Sequence, residues 1–318
     1  MTRHRVLVLD SKIANPNRYL SVALHRAFAA DPSVEKAVLV TYLDAIKAAE
    51  SLRPTLLLAF GGEEIDHFLL HKLTRLAGRS AIWFTEDPYE LSRNLVSAEL
   101  VDVAFTNDRL SVPRYGSKGH YLPLAGFEPF HQRPIDPAGR RYDLFFAGTA
   151  WPNRVEMFQK LLAIDSGLRL KLFVPPSPFG GFSAEGGPNV SAQDIHVSGM
   201  DFARFANRSS TTLYLTRNFS TSPGSPSMTL SPGPRFFETA LAGGIQLYEP
   251  GTVELPDGFT DGESVFPFRS LEELVDIVGT LRDDAAAWVR AAGRAQAVTR
   301  EKHCYRHRVT AILERVHG

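Results

Sequence analysis

Cysteine is nearly absent from this chain of 318 residues: Cys304 stands alone. A single thiol excludes an intrachain disulfide and any Cys-rich zinc module. An excess of one charge is also missing. Lys and Arg number 35, Asp and Glu number 35, and the formal net charge is zero. Nothing in that balance points to a general nucleic-acid binder or a polybasic membrane surface. Long apolar runs are missing too. The first, Val6–Leu9, is closed off by Arg5 and Asp10. It is too short for the core of a secretion signal, and no stretch reaches the length of a membrane span. The expectation is a soluble cytoplasmic protein.

Several site motifs are absent. Leu9-Asp10-Ser11-Lys12 follows the first apolar run where a dinucleotide fold would carry G-x-G-x-x-G. There is no G-x-x-x-x-G-K-[ST], no G-x-S-x-G and no D-x-D. Common dinucleotide oxidoreductases, P-loop NTPases, α/β-hydrolases and metal-dependent glycosyltransferases of the single-domain kind lose weight accordingly. No metal and no cofactor is expected.

What is present is alternation. Hydrophobic residues make up 44% of the chain, enough to fill real cores. Short apolar runs at 6–10, 37–43, 55–62, 80–87, 101–108 and 120–126 read as strands, with helical patterns between most of them. Strands apolar on both faces and separated by helices indicate a parallel sheet covered on both sides. Residues 1–126 therefore read as one doubly wound domain. Residues 127–141, rich in Pro and charge, read as a linker. The pattern restarts with strands at 142–148, 168–174, 211–216, 245–249 and 264–268. Helices are expected at 153–164, 202–209 and 234–244, a Pro/Gly/Ser-rich loop at 175–192, and three closing helices near 271–283, 285–299 and 302–316. The second domain is 142–301. The fold class is α/β, with two Rossmann-like doubly wound domains.

Candidate site residues concentrate in the second domain. Pro234 and the paired Gly243 and Gly244 bound a helix that opens after Ser231–Gly233. Its first-turn N–H groups can receive a diphosphate, with Arg235 adding a charged fork. Glu238, one turn in and followed by Thr239, could accept both hydroxyls of a ribose diol; an ordinary amphipathic helix fits the same spacing. Phe146-Ala147-Gly148-Thr149 forms a strand end and glycine turn, and Arg154 falls in the first turn of the next helix. Gly148 allows close backbone approach to a ligand, or simply a βα turn. Asn218 and Ser220 open a hydroxyl-rich loop after a strand, where open α/β sheets bind ligands. His67 and His71 share a helix face, but two ligands without a third are weak, and Glu63, Glu64 and Asp66 beside them suggest a solvated first turn. His303, Cys304 and His307 sit among Arg300, Lys302, Arg306 and Arg308, which would repel a cation.

The segments FFAGTAWPNR, PRFFETALAGG, FTDGESVFPFRSLEELVDIV and AGRAQAVTREKHCYRHRV resemble the C-terminal domain of CgeB-like, spore-maturation type glycosyltransferases. The matching positions are Arg235, Phe237, Glu238, Ala242, Gly243 and Gly244, then Asp261 and Gly262, then Glu272–Leu274, then Gly293, Arg294, His303, Tyr305 and Arg308. IWFTEDP, VAFTND and YLPLAGFEPFH resemble its N-terminal half. The resemblance implies the GT-B fold, two domains facing a cleft, with a helix from about 302 to 318 packing back on the first. It implies a nucleotide-sugar partner (a UDP-, GDP- or dTDP-sugar) on the second domain and an acceptor against the first. Glu238 would hold the ribose, and Arg154 or Arg235 the diphosphate. The retaining relatives' E-x7-E pattern puts a second carboxylate where this chain has Leu230. An inverting route would need a base near the acceptor, and Glu86 and Asp87, at a strand end before Pro88, are the candidates. A nucleotide-sugar 2-epimerase and a two-lobed ligand-binding protein are the alternatives.

Overall fold

Two parallel sheets of six strands carry the chain. The computed structural model describes residues 3–10, 17–62, 64–182, 189–217 and 228–317. The first sheet is built from β1 (His4–Asp10), β2 (Val34–Val40), β3 (Leu56–Phe60), β4 (Arg79–Phe84), β5 (Val103–Thr106) and β6 (Gly119–Tyr121). Its helices are α1 (Arg18–Ala30), α2 (Ala45–Leu52), α3 (His67–Leu76) and α4 (Leu91–Ala98), with a 3₁₀ segment over Arg109–Lys118. The second sheet holds β7 (Tyr142–Ala147), β8 (Leu170–Phe173), β9 (Val190–Gln193), β10 (Ser209–Tyr214), β11 (Gln246–Tyr248) and β12 (Val265–Pro267). Around it lie α5 (Glu128–His131), α6 (Pro152–Ile164), α7 (Gly199–Asn207), α8 (Pro234–Leu241), α9 (Leu271–Asp283) and α10 (Ala285–Lys302). The last helix is α11 (Tyr305–His317).

The central strands are buried on both faces because helices cover both. Leu56–Phe60 is buried at all positions, as are Leu144–Phe146 and Leu170–Phe173. Strand order decides where a ligand can enter. The first sheet runs β2-β1-β3-β4-β5-β6, reversing between β1 and β3. The second runs β9-β8-β7-β10-β11-β12, which, counted from its own first strand, is the dinucleotide-fold order 3-2-1-4-5-6. Its reversal lies between β7 and β10, and there the connections leave on opposite faces and open a crevice at the strand carboxyl ends.

Two compact units contain these sheets. One gathers the chain up to Leu124, the stretch ending at Ser231 and the helix from Tyr305; the other begins at Ala125, resumes at Pro232 and closes at Cys304. In the first unit α11 is held by Arg308, which donates to the carbonyls of Pro123 at 2.8 Å and Leu124 at 3.1 Å. Buried tryptophans are satisfied in both: Trp83 donates to Leu122 O and Trp288 to Ser210 O. Among the described residues no helix is long and apolar enough to cross a membrane.

Three elements differ from expectation. The stretch 127–141 folds as part of the second unit: it holds α5, His131 is fully buried, and Arg140 donates to Leu281 O at 2.6 Å. Its prolines hid the short helix. β9 lies inside the expected loop 175–192, paired to β8 from Leu170↔Val190 to Phe173↔Gln193. A half-exposed edge strand among Gly and Pro carries no apolar run to betray it. The Arg109–Lys118 segment, with Pro113 inside, has neither helical nor strand periodicity.

Gly244 lets α8 turn directly into β11. A Cβ there would meet Thr239 Cγ2 at 2.9 Å, Thr239 O at 3.2 Å and Ala206 O at 3.3 Å. Two of these are backbone atoms and cannot swing aside. Gly244→Ala is expected to destabilise the fold by about 1–3 kcal/mol, the cost of an overpacked core. Urea unfolding of the variant against the parent measures it; an unchanged midpoint would contradict this packing.

Candidate functional site

The crevice of the second sheet is closed at its base by one arginine. Arg154, in the first turn of α6, donates from Nη1 to Thr149 O at 3.0 Å and from Nη2 to Leu215 O at 2.7 Å. Thr149 follows β7 and Leu215 follows β10, so the guanidinium spans the strand-order reversal. The fork geometry of arginine suits two diverging carbonyls, which a lysine could not serve together. Gly148 serves the same end. A Cβ there would stand 3.0 Å from Arg154 Nη1 and 3.0 Å from the Phe146 ring. The space expected to admit a ligand is therefore flanked by the chain's own arginine. Thr149 is half-buried at the same turn. On the β10 side Arg217 stands over the Trp151 ring, 4.9 Å from its centroid. Sequence reasoning passed over Arg217, although its place just beyond a strand end at the reversal was a usable signal. Asn218 and Ser220, the next expected site residues, lie outside the described residues.

Helix α8 starts beside this crevice because Gly233 N–H donates to the hydroxyl of Tyr214, the last residue of β10, at 2.8 Å. Its first turn carries Arg235, whose Nη1 donates to Glu238 Oε2 at 2.7 Å and whose guanidinium lies 4.1 Å from the centroid of Phe202. The Glu238 side chain is fully buried, while that of Arg235 is 26% exposed. Glu238 Oε1 is 3.8 Å from Nε2 of the fully buried His131. His131 Nδ1 accepts the Phe127 N–H at 3.2 Å. That bond assigns the neutral tautomer with its proton on Nε2, directed toward Glu238. Burial pushes His131 down to about 4, against the pull of Glu238 and together with Arg235 and Arg133. The expected ribose contact at Glu238 is thus not at the surface. Thr239 is also buried and packs on the Gly244 side of the helix.

In the first unit Asp87 is fully buried. Its Oδ1 accepts Asn94 Nδ2 at 2.8 Å, and its Oδ2 accepts Thr106 Oγ1 and Tyr115 OH, each at 2.6 Å. Burial pushes its carboxyl up, opposed by those three donors. Three donors on two oxygens tie the end of β4 to β5, α4 and the 3₁₀ segment, so this carboxylate, one of the two expected as a base, is engaged by its own neighbours. Glu86, half-buried beside it, is the candidate that keeps partial access. Asp108 binds the stretch entering from residue 228 by accepting Thr229 Oγ1 at 2.6 Å.

His67 and His71 are exposed. His303 is buried against Phe237 and meets Asp257 O at 2.8 Å, and Cys304 is buried as well. Among the described residues no group of three or more His, Cys, Asp or Glu could hold a metal ion.

Two Rossmann-like units, each a parallel six-stranded sheet that reverses its strand order, have the GT-B fold. The glycosyl transferase-like family matches residues 137–314, more than half of the chain, and the protein belongs to that family. Solved structures share the architecture at low identity. HepE (Alr3699) from Anabaena, in complex with UDP-glucose, has 11% identity and a TM-score of 0.62, with 99% of this chain and 100% of that one covered. An alpha-glucosyltransferase in complex with UDP and a 13-mer DNA containing a central A:G mismatch has 12% identity and a TM-score of 0.66, covering 97% and 99%. A T4 phage BGT mutant in complex with UDP-glucose has 10% identity and a TM-score of 0.58, covering 98% and 99%. At such identities the likeness is one of fold. No curated protein matches the sequence.

Two expectations follow. Asp87→Ala strands three buried donors and should cost about 2–4 kcal/mol of stability, read by chemical denaturation. A loss below about 0.5 kcal/mol would mean the network contributes nothing. His131 sets an acid limit. Its folded value of about 4 lies below its ordinary 6.5, so the unfolded chain binds the proton first as pH falls. The stabilisation is complete above about pH 6.5 and is lost as pH drops toward 4, by up to about 3 kcal/mol. His131→Asn keeps an acceptor for the Phe127 N–H without titrating. Its stability should fall less than the parent's between pH 7 and 4.5, and equal falls would remove His131 as the cause.

Proposed function

We propose that the protein transfers a hexose from a nucleotide-sugar donor, a UDP-, GDP- or dTDP-sugar, without a metal ion. The observation that carries this reading is the second sheet's strand reversal, its crevice flanked by the Gly148–Thr149 turn, Arg217 and the Arg235 turn of α8, in a chain of the glycosyl transferase-like family. Negative charge develops on the departing diphosphate, and a helix N-terminus with an arginine fork is suited to receive it. Such groups can do the work a cation does elsewhere. The UDP and UDP-glucose complexes of structures sharing the fold support the donor class. The order of the Arg235, Glu238, Gly243–Gly244, Asp261–Gly262 and His303–Tyr305–Arg308 motifs supports a CgeB-like branch. The first unit serves as the acceptor-side domain, with Glu86 as the carboxylate for an inverting route. The cytoplasm, where nucleoside triphosphates charge sugars, is the matching compartment.

Thermal unfolding with UDP, GDP, dTDP and free sugars tests the donor. One nucleoside diphosphate should stabilise the native state, by about 2.7 kcal/mol at a hundredfold excess over Kd. Stabilisation by a free sugar alone would instead indicate a ligand-binding protein. Donor turnover should survive excess EDTA; complete loss restored by manganese or magnesium would overturn the metal-independent chemistry. Conversion of the donor to its epimer, with no transfer, would replace the transferase by a 2-epimerase.

A further inference from the structure

The zero net charge of the chain is an average, and the stretch that holds α3 departs from it. Between Asp66 and Glu86 the sequence has no Asp or Glu, while Lys72, Arg75 and Arg79 fall in that interval. Among the described residues none of the three meets a carboxylate at ion-pair distance. Arg75, in the last turn of α3, suits the helix dipole. The dipole does not account for the apolar groups beside it. Phe68 is 68% exposed, and Leu76, two turns on, is 38% exposed.

A helix that covers a sheet is ordinarily apolar on one side and polar on the other. The inward side of α3 carries Leu70 and Leu73, both fully buried in the core of the first unit. Residues 68, 72 and 76 repeat every four and share the outward side. That side alternates aromatic, cation and aliphatic, and the Lys72 ammonium lies 4.3 Å from the centroid of the Phe68 ring. A third apolar side chain stands near by. Leu43, 97% exposed, sits in the 3₁₀ turn Tyr42–Asp44. That turn is tied to the entry of α3 by Tyr42 OH, which donates to Glu64 O at 2.6 Å.

Positive charge without a counter-ion, interleaved with exposed apolar groups, fits a partner that is both anionic and apolar. A soluble polyanion would meet the cations and leave Phe68, Leu76 and Leu43 in water. An apolar protein surface would bury the cations unpaired. The surface of an anionic bilayer satisfies both, with phosphates at the reach of long basic side chains and acyl chains just below. We propose that the outward face of α3, with Leu43 beside it, rests on the surface of an anionic membrane. So few cations and apolar side chains make the attachment reversible, lying on the bilayer without entering its centre. The proposal does not depend on the donor, and its test contains no nucleotide.

The test is flotation of the full chain with vesicles of phosphatidylcholine, alone or mixed equally with phosphatidylglycerol. The parent should float with the mixed vesicles only and be released by high salt, which screens exposed charges. The double variant Lys72→Glu, Arg75→Glu should bind about 25-fold more weakly, from about fivefold for each cation near the surface. Phe68→Ser should weaken binding about 3- to 10-fold through lost apolar contact. All three side chains are exposed, so these variants should unfold at the parent's temperature. Phe68→Trp reports depth. Its emission should shift to the blue on mixed vesicles and be quenched by acyl-brominated lipid, while the buried Trp83, Trp151 and Trp288 of the parent show no such change. Failure of the parent to float, flotation unchanged in both the charge and the Phe68→Ser variants, or a Phe68→Trp emission indifferent to vesicles would each overturn the proposal. Equal affinity for soluble polyglutamate, unaffected by Phe68→Ser, would put an acidic polymer in place of the membrane.

Discussion

The second unit depends on how a parallel sheet closes where its strand order reverses. At that point β7 and β10 are neighbours whose connections leave on opposite faces, so their terminal carbonyls lose the continuation of the ladder. Arg154 meets that need, one terminal nitrogen on Thr149 O and the other on Leu215 O. The position of Gly148 follows from it, since a Cβ would press on Arg154 Nη1 at 3.0 Å. Hydrogen bonds from a charged donor are stronger than neutral ones, by roughly a factor of two. The floor of the crevice is therefore stiff, and the groups that meet a ligand stand on a fixed base. The arginine and the glycine expected at a ligand also hold the frame together.

Buried carboxylates recur as local anchors, with different means of compensation. Asp87 is compensated entirely by neutral donors, Asn94, Thr106 and Tyr115. Desolvation then dominates and its carboxyl is pushed up. Burial and the adjoining Asp87 likewise push the Tyr115 phenol up. Glu238 has a guanidinium at 2.7 Å instead. Removing one partner of such a pair leaves an uncompensated charge, so the pair is stable only as a pair. The neutral network suits a permanent joint, here between strand end, helix and 3₁₀ segment. The charged pair leaves a cation partly exposed.

Most of the architecture was legible in the sequence because parallel strands buried on both faces print themselves as unbroken apolar runs. VLVLD, LLLAF and DLFFA could hardly be anything else in a chain of this length. What escaped has a physical reason in each case. β9 alternates half-exposed and exposed positions at an edge, and a short strand of that kind looks like loop. Helix α5 has four residues, one a proline, and no period can be read from so few. The site was legible as a region and not as roles. Arg235 and Glu238 were found from the Pro–Gly bounded helix, but burial cannot be read from spacing, so the depth of Glu238 and Thr239 went unread. His131 lay in the Pro-rich stretch that composition marks as a linker, and nothing local announced that its imidazole is buried under α8.

The R-x-F-E spacing itself explains why a motif cannot divide these roles. Residues three apart on a helix lie on one face, within reach of each other. An arginine and a glutamate so placed either bind two parts of a ligand side by side or pair and present one of the two. The choice falls to the surroundings. Here Phe202 flanks the arginine, His131 faces the carboxylate, and the burial runs from complete at Glu238 to partial at Arg235. That gradient orders the pair, with the anion as foundation and the cation as the exposed end. A ligand drawn to this turn meets positive charge first, reinforced by the N-terminal end of α8, where unsatisfied N–H groups carry a partial charge of the same sign. Electrostatics at the turn therefore select for an anionic group, and the sugar-bearing diphosphate is the anionic part of the proposed donor.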